Sequence, residues 1–95
     1  MDANQSDIVA EFRKAGATVQ PLHSVGQGCP DLLVGWNGIN LLVEVKDGSK
    51  PPSARELTGD QVKWHAAWRG QVAVIKSIDE ALQLLGMDNE QARRN

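Results

Sequence analysis

Glu44 and Lys46 stand two residues apart in the run Ile39 to Lys46, which reads as a β-strand. That spacing sends both charged side chains to one face, while Val43 and Val45 point to the other and can enter a core. Upstream, Asp31 follows Gly28, Cys29 and Pro30 and opens a second apolar run, Leu32 to Trp36. Asn37-Gly38 joins the two runs, and Asn-Gly between apolar stretches is a strong hairpin signal. The strands should therefore lie side by side and antiparallel, each bringing one carboxylate. Two carboxylates on neighbouring strands suit a hard divalent cation, because Mg²⁺ takes one or two of them and leaves its other positions to water and phosphate oxygens. The backbone carbonyl of Val45 is a candidate third ligand. Such a cation polarises a phosphoryl oxygen and generates hydroxide near neutral pH, which is what hydrolysis of a phosphodiester requires. Lys46 would supply a fixed ammonium for charge developing on the phosphate oxygens.

The elements that position these groups can be read along the chain. Asn4 to Ala15 carries Ile8, Phe12 and Ala15 at helical spacing, with Gly16 as its stop. Ala17 to Leu22 is a short first strand. Ser24 to Pro30 holds Gly26 and Gly28 and reads as a loop that delivers Asp31. After the hairpin, residues 49–53 form a stiff polar loop containing Pro51 and Pro52. Thr58 and Gln61 have capping-box spacing and start a second helix, with Gln61, Trp64, His65 and Trp68 along one side and Gly70 near its end. Gln71 to Lys76 is a fourth strand. Ser77 and Glu80 repeat the capping-box pattern and begin a third helix, which Gly86 stops. The order helix, strand, strand, strand, helix, strand, helix describes an α/β domain with a central sheet flanked by helices. One domain spanning 1–95 is expected, with its core over about 4–86 and a polar tail over 87–95.

Composition narrows the classes. With 41% apolar and 23% charged residues the chain is expected to be globular, and no apolar run approaches the ~18 residues of a membrane span. The first residues have neither the basic flank nor the apolar stretch of a secretion signal, and Cys29 has no cysteine partner. An intracellular, reducing compartment is expected, such as the cytoplasm of a bacterial or phage-infected host. The net charge of −2 is unlike that of most phosphate binders. Between Lys46 and Lys76, however, six basic residues face three acidic ones. Two carboxylates committed to a cation would also make the formal count too negative.

Gly28-Cys29-Pro30-Asp31 followed by Glu44-Val45-Lys46 resembles the PD-(D/E)xK nuclease superfamily, in which a Pro-Asp is followed after a short strand by an acid, any residue and lysine. The run from Leu57 through Thr58 and Gln61 to Trp64 is similar to the fourth motif of the virus-type replication-repair nuclease (VRR-NUC) domain, in its stand-alone phage or viral form. The resemblance covers the chain from the first helix to Gly86. It implies a restriction-endonuclease-like fold with a central mixed sheet, and Mg²⁺- or Mn²⁺-dependent hydrolysis of DNA. In stand-alone members it implies a homodimer acting on branched or structured DNA, such as Holliday junctions in DNA repair. Catalytic roles would fall to Asp31, Glu44, Lys46 and Gln61. The family also places an acidic or amide residue on the first helix near the metal, a position matched by Gln5 or by Glu11. A glutamine there lacks the carboxylate charge. Lys50, Arg55, Lys63 and His23 are candidate DNA contacts.

Each of these residues has a plainer reading. Asp31 can be an ordinary turn residue, Glu44 and Lys46 a solvated strand face, and Gln61 only the third position of a capping box. Trp64 and Trp68 are expected to pack on the sheet, whereas Trp36 beside the hairpin turn is harder to bury and could serve a dimer interface or stack on a base. Lys50 and Arg55 flank a polar loop and can simply be solvated, as can His23. A catalytically idle module that binds branched DNA or a replication partner through the same fold is the alternative function.

Overall fold

In the computed structural model, the described residues are 4–86; the tail expected over 87–95 lies outside them. The first helix, α1 (Gln5–Lys14), buries Ile8 and Phe12, and Ala15 beyond its end is also buried. Asp7 in its first turn and Arg13 and Lys14 in its last complement the helix dipole. Asn4 and Ala15, read as helical from sequence, are its caps. Strands β1 (Thr18–Pro21), β2 (Leu32–Trp36) and β3 (Ile39–Val45) form an antiparallel meander. Asn37 and Gly38 both have positive φ, at 53° and 79°, as the tight hairpin turn requires. The chain then passes through a short 3₁₀ turn (Pro52–Ala54) and helix α2 (Gly59–Ala67). It returns as β4 (Val72–Ile75), parallel to β3, and ends its described part in α3 (Ile78–Leu84). The sheet order is β1-β2-β3-β4, a mixed sheet with the element order expected from sequence.

The two sheet faces have different chemistry, and this positions the site. Leu32, Val34, Val43, Val45 and Ile75 point to one face and join Ile8 and Phe12 of α1 and Ala81 and Leu82 of α3 in a single core. Phe12 is fully buried there, and truncating it to alanine would cost roughly 3–5 kcal/mol. Trp36 packs against this core, its ring 3.3 Å from where a Cβ on Gly16 would stand. It is half-buried, and the absence of a side chain at Gly16 leaves room for the indole. On the opposite face α2 meets the end of β3 through polar groups. None of its residues is fully buried: Trp64 is half-buried and Trp68 is 45% exposed, so Trp68 does not pack into the sheet as its helical spacing suggested. The second capping box also differs from expectation. Ser77 Oγ accepts the Glu80 N–H, but Glu80 accepts from Lys76 N, one residue before the cap.

Candidate active site

Asp31 lies immediately before β2, where its carbonyl accepts the Leu22 N–H at 2.7 Å. The register that sets Leu32 across from Val43, continued by one residue, sets Asp31 across from Glu44, so the two carboxylates share a face. Asp31 Oδ2 accepts the Val45 N–H at 2.8 Å, which fixes the carboxylate against the end of β3. One step further the same register brings Pro30 across from Val45. Proline has no N–H to occupy the Val45 carbonyl, which a ladder partner of any other type would offer.

Glu44 and Lys46 are only 1% and 7% exposed, which rules out a solvated strand face. Buried charges need polar partners, and α2 brings one. Gln61 Oε1 accepts from Lys46 Nζ at 2.8 Å, and Gln61 Nε2 donates to Glu44 Oε2 at 3.2 Å. The orientation of the amide follows from its neighbours, since an ammonium can only donate and a carboxylate accepts. Gln61 Oε1 also accepts the Thr58 N–H at 2.9 Å while Thr58 Oγ1 accepts the Gln61 N–H, so the capping box is complete. The structural and site readings of Gln61 thus hold together: the cap locks the side chain that spans Lys46 and Glu44.

The loop before Asp31 closes this arrangement. Gly28 has φ +82°, and a Cβ on it would collide with the backbone of Asp60, so the loop backbone lies directly against the first turn of α2. Cys29, next along, has its thiol held up in pKa, first by burial and then by the negative charges of Glu44 and Asp31. His65 follows Gln61 by one helical turn. Its pKa is lowered, mainly by burial and then by the charge of Lys46, and its Nε2 is buried without a hydrogen bond. Sequence reasoning gave neither residue a place at the site; the position of Cys29 inside the Pro-Asp motif and the i, i+4 relation of His65 to Gln61 were the available signals.

The remaining candidates are dispersed. Gln5 is buried, and Asn4 beside it donates to the carbonyls of Lys46 and Lys76 at 3.2 and 3.4 Å, tying the start of α1 to the ends of β3 and β4. Glu11 lies six residues later, ~9 Å along the helix away from that end. Lys63 is exposed, and at two residues from Gln61 it falls about 200° round α2, on the far side from the site. Lys50 and His23 are exposed in loops. Arg55 is half-buried and lines a cleft with Asp7, Asp47, Lys76, Asp79 and Glu80, apart from Gln61, Glu44 and Lys46.

Among the described residues no cluster of three or more His, Cys, Asp or Glu could form an all-protein metal cage. Asp31, Glu44 and the Val45 carbonyl are all hard oxygen donors, and two carboxylates with a carbonyl would suit an open Mg²⁺ or Mn²⁺ site completed by water and phosphate.

No protein-family model matches the chain, and no curated protein matches it. A solved structure described as a VRR_NUC domain superposes on it with a TM-score of 0.63 at 28% sequence identity, over 86% of this chain and 89% of that one. The sheet order and this superposition give the chain the restriction-endonuclease-like fold of the VRR-NUC domain it is similar to.

Proposed function

We propose that the chain is a Mg²⁺- or Mn²⁺-dependent endonuclease that hydrolyses phosphodiester bonds in DNA. The observation that carries this reading is the hydrogen-bonded run from Lys46 through the Gln61 amide to Glu44, with Asp31 anchored alongside on the Val45 N–H. Asp31 and Glu44, with the Val45 carbonyl, would hold the cation. When bound, it supplies polarisation of the phosphoryl group and a hydroxide nucleophile at neutral pH.

The chain's own groups are arranged for the rest. Lys46 is nearly buried and its ammonium is tied to Gln61 Oε1, so it is oriented before substrate arrives and stabilises charge on the phosphate oxygens with little reorganisation. Gln61 bonds both Lys46 and Glu44 through one neutral amide, which holds the two charged groups in a fixed relation. Gln5, buried at the start of α1 next to the Asn4 that ties this helix to Lys46 and Lys76, would be the neutral amide that the first helix contributes.

The working form is a homodimer on branched or structured DNA, such as a Holliday junction in DNA repair inside the cell. Two sites serve two strands, and an interface adds burial that a 95-residue core lacks. The test is cleavage of labelled duplex, flap and four-way-junction DNA with Mg²⁺, Mn²⁺ or EDTA. Metal-dependent cutting that favours the branched substrates is expected. Binding without cutting under every metal condition would replace the enzyme by the idle DNA-binding module.

A further inference from the structure

The tryptophans of α2 are left unused by the site. Trp64 and Trp68 stack with centroids 4.7 Å apart and planes 17° from parallel, and Trp64 meets the His65 ring edge-on. Trp68 is nonetheless 45% exposed. One face of its indole is covered by Trp64, so the exposure belongs to the rest of the ring. Its position is also set from the Nε1 side, where a Cβ on Gly70 would stand 2.9 Å away; any larger residue at 70 would push the indole aside. A flat, preset aromatic surface that is solvated at this cost calls for an occupant.

We propose that Trp68, backed by Trp64, is a stacking platform for an unpaired base of the DNA held at the neighbouring site. The proposal rests on the nuclease reading and narrows its substrate class to DNA with single-stranded character, such as a flap or an open junction arm. Three observations support a base as the occupant. First, α2 is the helix whose Gln61 enters the site, and Trp68, its C-cap, lies seven residues beyond Gln61, ~10 Å along the axis, about the length of three stacked nucleotides. Second, the residue next in sequence, Arg69, is exposed and cationic, which suits the phosphate backbone of a bound strand. Third, the other large exposed apolar residue of α2, Val62, lies about two-thirds of a turn round the helix from Trp68, so the two large side chains do not merge into the broad apolar patch of a protein interface.

The experiment uses the full chain in EDTA, so that binding is read without cleavage. Native protein, Trp68→Ala and Trp68→Phe are titrated with short oligothymidine and with a fully paired hairpin duplex, following anisotropy of the labelled DNA and tryptophan fluorescence. Oligothymidine should quench the native fluorescence. Trp68→Ala should weaken oligothymidine binding roughly 5- to 150-fold, the range of one lost stacked base, and change duplex affinity less than about twofold. Trp68→Phe should keep most of the affinity and serves if the alanine variant folds poorly. Unchanged oligothymidine binding in both variants, or equal losses on both DNAs, overturns the proposal. So does a Trp68-dependent change in oligomeric state without a change in DNA binding, which would make the ring a contact between copies. A chain that binds oligothymidine through Trp68 but cuts nothing refutes only the nuclease reading.

Discussion

Substituting alanine at Gly26 and at Gly28 separates local backbone strain from the packing that builds the site. Both glycines have left-handed backbones, with φ of +76° and +82°, so alanine at either one costs about 1–2 kcal/mol in conformation. At Gly26 nothing lies within 4 Å of the added Cβ, and the cost stops there. At Gly28 the Cβ runs into the Asp60 carbonyl and stands 3.0 Å from Gln61 N. Those neighbours are helix backbone, which yields only by moving α2 or the loop, an overpacking that adds about 1–3 kcal/mol. Gly28→Ala should therefore lose roughly 2–5 kcal/mol in urea unfolding against about 1–2 for Gly26→Ala. The displaced helix carries Gln61, so cleavage by the folded fraction of Gly28→Ala should fall as well, while that of Gly26→Ala stays near native. Equal losses of stability and activity at the two glycines would refute the claim that this loop and α2 are locked together.

Two further substitutions address the groups around Lys46. Thr58→Ala removes one half of the capping box and should cost about 1 kcal/mol of stability, with cleavage largely kept; Gln61→Ala should cost more stability and also lower the single-turnover rate about 10²-fold, because it unties Lys46. A similar rate for the two variants would reduce Gln61 to its capping role. His65 makes a prediction in pH. Its folded pKa is depressed below 6.5 by burial and by Lys46, so as pH falls below 6.5 the unfolded chain takes up a proton that the folded chain resists. Its neutral form contributes stability that is complete above pH 6.5 and declines below it. Urea melts of native protein and His65→Gln across this range should diverge above pH 6.5 and converge on acidification; a difference independent of pH would contradict the assignment.

The sheet was readable because its determinants are local. Asn37-Gly38 sets the hairpin register, that register continued by one residue beyond Leu32 puts Asp31 opposite Glu44, and the alternation Val43-Glu44-Val45 decides which face is core and which carries the polar cluster. Helix α2 was only half readable. Thr58 and Gln61 announce its start, but its spacing of Trp64 and Trp68 mimics a core-facing stripe, and nothing local says that the helix meets the sheet through an amide. The contact depends on Gly28, a residue more than thirty positions away from the helix it touches, whose lack of a side chain matters only once the chain has folded. For the same reason the charges of Arg55 and Lys63 do not by themselves place them: Arg55 lines a separate mixed-charge cleft, and Lys63 lies round α2 from Gln61.

The most direct test of the central claim is single-turnover cleavage of saturating four-way-junction DNA in Mg²⁺ by the native chain, Asp31→Asn and Lys46→Ala. Each variant's fold is checked by circular dichroism and its DNA affinity measured in EDTA. If Asp31, Glu44 and Lys46 form one hydrolytic site, both variants should fold and bind DNA, Asp31→Asn at least as tightly as native, while cutting falls by at least about 10²-fold. Native-like cutting by either folded variant would contradict the assignment of hydrolysis to this site.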